Sequence, residues 1–413
     1  MHRKLLLFIA LLAVLAFGVL SLGCEDEATT ETTAAGTETT AAPTGEPIKI
    51  GFDVGLTSFM AYDVELAEKG LMTALAMLDD QFDGRPLEAY VEDNASDPVI
   101  AVDKARKLVE SDGIDVMVGP IFSPSAKAVT EYLATSSGIP QISIVGQPSE
   151  NLETANGLAF MHTGFFDSHG YYFGKYLAEL GYKTANVINY DDTPAYALTD
   201  GLRKAFVTEG GGEILFEEYV PLDMVDFSAY LTTMPDADVT VHWIFGNGAA
   251  PFCQQYSDYG LKGRLATTMS GNFGDDTLAQ LGDVGLGMLA CDFYAYTLDN
   301  PLNDAFVAAF EELYPGEKPH PNGYAAWQAV MLYIEALKAT DGDTTPETVI
   351  AAMANMSLDS PAGNIQMVPY QTAHIAKRDF HMLECQDVDG VLTWVPVKSY
   401  EQVLLGTLDD VGE

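Results

Sequence analysis

Positive charge is scarce in this chain. Its 413 residues carry 20 Lys and Arg against 60 Asp and Glu, a formal charge of -40. A surface that neutralises phosphate backbones needs clustered basic side chains, so no nucleic-acid partner is expected. Adsorption to anionic lipid through a polybasic patch fails for the same reason. Cysteine is also sparse, with Cys24 standing apart from Cys253, Cys291 and Cys385. Three is odd, so at most one pair forms inside the body. There is no C-x-x-C and no paired Cys/His spacing, which argues against a structural zinc site. The acidic run Glu92 to Asp97 lacks the glycine and bidentate glutamate offsets of an EF-hand loop, and reads as a turn plus a helix cap. G-x-S-x-G, H-E-x-x-H and G-x-x-x-x-G-K-[ST] are all missing, and the seven His are scattered. No catalytic residue, metal or cofactor is therefore expected.

What is present is a large core. Hydrophobic residues make up 48% of the chain, too many for a disordered acidic polymer. The length suits two or more domains of roughly 100–200 residues each. The excess negative charge belongs on a solvated surface.

The first residues address the chain. His2, Arg3 and Lys4 precede an apolar run from Leu5 to Leu20, followed by Ser21-Leu22-Gly23-Cys24. A charged start, a short apolar run and small residues before a cleavage point read as a secretory leader, residues 1–23. Ser21-Leu22-Gly23-Cys24 resembles the bacterial lipobox, with Ser and Leu in the reverse of their usual order. The resemblance implies that Cys24 is lipidated and becomes the mature N-terminus. Residues 25–46 hold no large apolar side chain, so the segment 24–46 reads as a tether. Fully extended it reaches about 70 Å at roughly 3.3 Å per residue. The expected location is extracytoplasmic, anchored to the cell membrane by lipid.

Beyond the tether, strand and helix signals alternate. Ile48–Phe52, Leu87–Val91, Val116–Val118 and Gln141–Ile144 read as strands. Helices fall at about 61–78, 98–110 and 123–136, the second opened by Asp97-Pro98 as cap and first-turn proline. The rhythm restarts after residue 165, with strands at 184–189, 213–219, 239–245 and 265–269. Helices near 301–314, 322–339 and 345–356 follow, then strands near 363–368, 380–385 and 391–396. Two consecutive βα series predict two α/β lobes with parallel sheets rather than one very wide sheet.

The motifs that punctuate this pattern carry a resemblance. They are Ile48-Lys49-Ile50-Gly51, Gly55-Leu56-Thr57, Gly84-Arg85-Pro86-Leu87, Glu92 to Pro98, Gly119-Pro120, Gly138-Ile139-Pro140, Asp226-Phe227-Ser228 and Gly260-Leu261-Lys262. In this order and spacing, over residues 47–400, the chain resembles the branched-chain amino-acid-type periplasmic binding proteins, the substrate-binding components of ABC importers. The resemblance implies two Rossmann-like lobes joined by three crossover segments, with the ligand in the cleft between them. The corresponding boundaries are 47–164 and 297–368 for the first lobe, and 165–296 and 369–413 for the second.

Open α/β sheets bind ligands beyond the carboxyl ends of their strands, where helix N-termini favour anions. The loop Gly119 to Ser125 is such a place, and Ser123 matches the carboxylate-binding serine of the family. Ser123 also suits a helix cap, and Ser125 follows in the same turn. By resemblance the loop Val145-Gly146-Gln147 gives backbone N–H groups and one side chain to the same carboxylate. Tyr62 and Tyr196 match aromatic positions flanking the ligand, although either suits core or lobe-interface packing equally well. Trp243, Phe245 and Asn247 offer an apolar wall with one amide. Ser270 stands where amino-acid-binding members place an acid for the ligand ammonium. Asp275 and Asp276, close by, read as helix caps. His162 stands where many relatives have Arg before the first crossover.

These residues imply a solute receptor that closes by a hinge on a small carboxylate and delivers it to ABC permease transmembrane subunits. A branched-chain or other amino acid, an organic or aromatic acid, and an amide or urea-type solute all remain open as ligands. A sensory binding protein would use the same fold. A secreted hydrolase or oxidoreductase would need a nucleophile–base pair or a cofactor loop, and neither is visible.

Overall fold

The computed structural model describes residues 45–411. The leader, Cys24 and the tether up to residue 44 lie outside the described residues. The first lobe opens with β1 (Ile48–Val54), α1 (Ala61–Met77), β2 (Gln81–Phe82), β3 (Arg85–Asp93), α2 (Pro98–Lys107), β4 (Val116–Val118), α3 (Ser123–Ser136), β5 (Gln141–Ser143) and β6 (Ala159–Met161). Asp97 caps α2 as its sequence indicates, accepting from Val99 N at 2.8 Å and Ile100 N at 3.0 Å.

The second lobe runs α4 (Phe166–Glu179), β7 (Thr184–Tyr190), α5 (Thr193–Leu202), β8 (Glu213–Val220), α6 (Ser228–Leu231) and β9 (Val239–Trp243), then α7 (Ala249–Asp258), β10 (Arg264–Thr267), α8 (Asp275–Leu281) and β11 (Leu289–Asp292). The chain then returns through α9 (Pro301–Leu313), α10 (Pro321–Ala339) and α11 (Pro346–Met353). It ends in β12 (Ser357–Ser360), β13 (Gly363–Tyr370), β14 (Ala373–Val388) and β15 (Val391–Leu404).

The strands form one continuous, mostly parallel path, β2-β3-β1-β4-β5-β6-β14-β11-β10-β9-β7-β8. Each lobe is a doubly wound sheet, and β14 joins them. It pairs in parallel with β6 through His374 and Ile375, and antiparallel with β11 through His381 to Glu384. The two lobes thus share a strand, and the change of neighbour falls between Ile375 and His381. Residues 373–375 lie on the first-lobe side of that change.

Apolar side chains alternate from both faces of the sheet into the helical layers. In the first lobe α1 and α10 cover one face, while α2 and α3 cover the other around Met117, Leu108 and Val129. Helices α1 and α10 meet closely: a Cβ on Gly70 would lie 1.8 Å from the Gly323 carbonyl oxygen. Glycine is required there by space alone. Cys253, Cys291 and Cys385 are all buried and free.

Candidate functional site

The carboxyl ends of the strands in both lobes open onto one cleft of about 470 Å³. Its first-lobe wall is made by Phe59, Met60 and Asp63, by the turn from Ile121 to Pro124 with Lys127, and by Val145, Pro148, Glu150, Asn151 and Asn322. The second-lobe wall is made by Phe166, the turn Asp192-Thr193-Pro194, Leu222, Trp243, Phe245, Met269, Gly271 and Asn272. The size suits a small organic molecule.

Ser123 is the first residue of α3 and is not its cap. The cap position is Phe122, whose backbone is extended and whose side chain makes no capping bond. Among the described residues the Ser123 hydroxyl has no hydrogen-bond partner, and it lines the cleft. Pro124 has no N–H, so the amides of Ser123 and Ser125 are the free donors of that first turn. Lys127, one turn further on, faces the same cleft. A hydroxyl, two amides, the helix dipole and an ammonium group thus meet on one wall, which suits an anion. The Ser125 side chain is fully buried behind this wall, and its hydroxyl has no partner among the described residues.

The neighbouring loop is locked from behind. Gln147 is buried and turns into the wall, its Nε2 donating to Ser143 Oγ at 2.7 Å. Asn151 Nδ2 donates to Gln147 Oε1 at 3.2 Å and to the Ser123 carbonyl at 3.0 Å, so Asn151 ties the two loops together. Val145 reaches the cleft. Gly146 lies against Phe166, where an added Cβ would meet the ring at 3.1 Å.

Aromatic rings line both sides. Phe59 and Phe122 stand edge to face at 5.5 Å on the first-lobe rim. Trp243 contacts Phe166 at 5.7 Å and Phe245 at 5.4 Å on the opposite wall. The Trp243 indole donates to Asp192 Oδ2 at 3.2 Å, while Asp192 Oδ1 caps α5 through Ala195 N at 2.9 Å. Burial pushes the Asp192 carboxyl up to about 6, against the pull of those two bonds. Asp63 is raised to about 6 in the same way, with Asn322 Nδ2 donating to it at 3.0 Å.

Four residues singled out from the sequence, Tyr62, Tyr196, Asn247 and Ser270, lie outside the lining of this cleft. Tyr196 is exposed on the second lobe, stacked on Tyr219 at 4.3 Å and bonded to Asp191 at 2.6 Å. Asn247 is exposed on the short turn Gly246–Gly248, outside the cleft lining. Tyr62 borders a second depression of about 400 Å³, together with Ser270, Asp275 and Asp276. That depression is charged, but Lys69 within it is already paired with Glu65 at 3.0 Å and Glu317 at 2.5 Å. Asp275 and Asp276 open α8 in its first turn, after the cap residue Gly274. No group of three or more His, Cys, Asp or Glu among the described residues has metal-site geometry.

Asp63, Asp192, Asn151, Lys127 and the rings of Phe59, Phe122 and Phe166 were not singled out by sequence. A cap signal was available for Asp192, which precedes Thr193-Pro194, but a cap signal does not say which way the second oxygen faces. Ser270 has its acid after all, from a strand the sequence pattern does not show. Its hydroxyl donates to Asp292 Oδ2 at 2.8 Å, and Asp292 ends β11, only four residues long.

Two α/β lobes sharing a strand, with ring-lined walls and a helix start suited to an anion in the cleft between them, define a ligand-binding protein. The chain belongs to the periplasmic binding protein family, whose model matches residues 47–390. It is similar to Leu/Ile/Val-binding protein homolog 6 of Brucella melitensis, 23% identical over 314 residues, 74% of this chain and 79% of that protein. Among solved structures, an ABC transporter substrate-binding protein from Sphaerobacter thermophilus is 26% identical with a TM-score of 0.80, covering 86% of this chain and 98% of that one. A solute-binding protein of an ABC transporter from Rhodopseudomonas palustris BisB5, in complex with 3,4-dihydroxybenzoic acid, is 24% identical with a TM-score of 0.77 at the same coverage. The chain is an extracytoplasmic substrate-binding protein of the ABC-transporter type. Its relatives are solute-binding proteins, not enzymes. No helix among the described residues is long and apolar enough to cross a membrane.

Proposed function

We propose that this protein captures a small organic carboxylate with an apolar or aromatic body and delivers it to an ABC permease. The observation that carries this reading is the unengaged Ser123 hydroxyl at the start of α3, opening into a cleft walled by rings. The carboxylate sits on Ser123 and the first-turn amides, with Lys127 beside it. Phe59, Phe122, Phe166, Trp243 and Phe245 enclose the rest of the ligand. Ligand contacts to both lobes favour the closed form, which is the state a permease recognises. The Brucella relative named for leucine, isoleucine and valine, and the Rhodopseudomonas protein holding a dihydroxybenzoate, support a carboxylate ligand. We further propose that Cys24 is lipidated and that residues 25–46 hold the body off the membrane.

A thermal-shift screen of amino acids, aromatic acids and small amides tests the first part. A ligand at 100 times its dissociation constant stabilises by about 2.7 kcal/mol, a shift of several degrees. Carboxylates are expected to shift the midpoint and neutral amides of the same skeleton are not. Equal shifts for both would remove the anion seat. For the anchor, Cys24→Ala is expected to move the protein from the membrane fraction to the soluble one.

A further inference from the structure

The first crossing between the lobes, residues 162–165 after β6, is held by three buried donors. Arg378 of β14 donates to the His162 carbonyl at 2.9 Å. The His169 ring, in the first turns of α4, reaches the Thr163 carbonyl through Nε2 at 2.7 Å. The His162 ring reaches the Ala325 carbonyl of α10 through Nε2 at 3.2 Å. His162, His169 and Arg378 are all fully buried.

A carbonyl oxygen only accepts, so each ring carries its hydrogen on Nε2 and keeps its basic nitrogen at Nδ1. Both Nδ1 atoms are buried without a hydrogen-bond partner among the described residues. The His169 ring lies among Phe166, Phe293 and Phe380, the last stacked on it at 4.8 Å. A proton added at either Nδ1 would make a charged N–H with no acceptor, in a space that already feels the Arg378 guanidinium.

No carboxylate stands ready to meet that charge. Among the described residues no histidine lies within ion-pair distance of an Asp or Glu. The other titratable groups on the elements packed here are Asp167 and Tyr172 of α4, Tyr324 of α10, Cys291 and Asp292 of β11, and Asp379 and His381 of β14. Asp292 is occupied by Ser270, Gly271 and Phe293, and Asp379 by the Gln402 amide. The Cys291 thiol donates to the Thr268 carbonyl at 2.9 Å, and His381 Nδ1 faces Ser399 Oγ at 2.8 Å.

Burial, reinforced by Arg378, pushes the His162 imidazole down to about 3. Burial pushes His169 down to about 4 against its bond to Thr163, again with Arg378 adding to the push. An imidazole released to water takes a proton below about 6.5. The hold of each ring on the hinge is therefore complete above that pH and is lost as pH falls toward the folded values.

We propose that His162 and His169, set about Arg378, form an acid-sensitive lock on the hinge. Neutral, the two rings hold the first crossing to α10 and α4. Protonation at Nδ1 of either ring releases the crossing and frees the lobes from their fixed relation. Each ring favours the released form by up to tenfold per pH unit between about 6.5 and its folded value. The protein works outside the cytoplasm, so the lock responds to the acidity of the medium, whatever the cleft binds.

The test uses the full-length chain in detergent. Histidine Cε1 resonances, assigned with His162→Gln and His169→Gln, are followed from pH 8 to pH 4.5. Both rings are expected to stay neutral, in the Nε2–H form, to below pH 5. Hydrogen exchange, corrected for intrinsic rates, then compares pH 7.5 with pH 5. The amides of Phe165, Phe166 and His169, bonded to the Leu405, Gln147 and Phe165 carbonyls, report on the crossing. They are expected to lose at least tenfold more protection than amides of β1 and β7 in the lobe interiors. Glutamine keeps a donor near the Nε2 position but does not titrate, so the excess loss should vanish in the double variant and shrink in either single one. The resonances and exchange of the unmodified protein stand even if the double variant does not fold. A ring that titrates near 6.5 in the folded protein would overturn the proposal. So would protection lost evenly across both lobes, or an excess loss that persists in the glutamine variants.

Discussion

Ser270 Oγ donates to Asp292 Oδ2 at 2.8 Å, and the same oxygen accepts the Gly271 amide at 3.1 Å. Asp292 Oδ1 takes the Phe293 amide at 2.8 Å, so one carboxylate at the end of β11 organises the loop after β10. From the other side His320, at the start of α10, donates through Nε2 to the Gly271 carbonyl at 3.0 Å while its Nδ1 accepts from Asn322 N. The cleft-lining residues Met269, Gly271 and Asn272 are thus held between an acid in the second lobe and a histidine in the first.

Asp292→Asn must turn an amide NH₂ or a single carbonyl toward donors that all need an acceptor. Leaving one buried donor unmatched costs roughly 1–3 kcal/mol. The expected outcome in urea unfolding is a loss of that size, with weaker binding of every ligand by a similar factor. The order of preference among ligands should not change, as expected of an acid that holds the loop rather than the ligand.

Ser123→Ala is expected to do the opposite. The hydroxyl has no partner among the described residues and Phe122 holds the cap position, so stability should stay within about 0.5 kcal/mol. Affinity for a carboxylate should fall by roughly 1–3 kcal/mol, the value of a hydrogen bond to a charged group. Calorimetry on the variant, alongside its melting curve, reads both. Unchanged affinity would place the anion elsewhere.

The sequence pattern is explicit where punctuation and periodicity agree. Helix α3 and strand β4 begin and end where Ser123-Pro124, Gly119-Pro120 and Gly138-Ile139-Pro140 indicate, because proline and glycine act on the backbone locally. Strands β6 and β11 escape notice since three or four buried residues show no period. The β14–β15 hairpin is longer than its apolar runs suggest. Its side chains face different neighbours along its length, and exposed Lys377 interrupts the pattern where the lobes meet. At the site, the sequence singled out Ser123 by resemblance and Trp243 and Phe245 by residue type, and all three line the cleft. It did not reveal that Gln147 turns inward to Ser143, that Tyr196 stacks on Tyr219, or that Asp192 opens into the cleft. Those are matters of side-chain direction, set by tertiary packing.

Asp53 gives a pH prediction. It is fully buried in β1, with Oδ1 accepting from Asn94 Nδ2 at 3.0 Å and Oδ2 without a partner among the described residues. Burial raises its carboxyl from 3.8 to about 8, against the Asn94 bond and with some help from Glu92. Between those values the folded chain holds a proton at this site that the unfolded chain releases. The contribution of Asp53 to stability therefore falls as pH rises from about 4 to about 8, by up to about 1.4 kcal/mol per unit. Asp53→Asn removes this slope, so the variant should gain on the unmodified protein steadily across that range. Urea unfolding at pH 4.5, 6 and 7.5 checks it, and a constant difference would mean that Asp53 stays charged.

Arg378 lies in β14, the third connection between the lobes, and is fully buried. Its guanidinium donates to the His162 carbonyl at 2.9 Å, just after β6 where the chain first crosses, and to the Phe293 carbonyl at 2.6 Å, just after β11 where it crosses back. It also donates to Tyr324 Oη at 3.2 Å, and the rings of Phe293 and Tyr324 lie 5.2 and 5.5 Å from it. One planar group thus joins all three crossings, which a lysine, with a single point of charge, cannot reproduce. Arg378→Met removes the cost of burying the charge but leaves two carbonyls and a hydroxyl without these donors. At roughly 1–3 kcal/mol for each unmatched group, the losses outweigh the gain, and a net destabilisation of roughly 2–5 kcal/mol is expected. Arg378→Lys should recover only part of it. Because Arg378 does not line the cleft, either variant that folds should keep the ligand preference of the unmodified protein. Chemical denaturation with and without ligand measures both effects, and stability equal to the unmodified protein in Arg378→Met would show that the three crossings hold together without this contact.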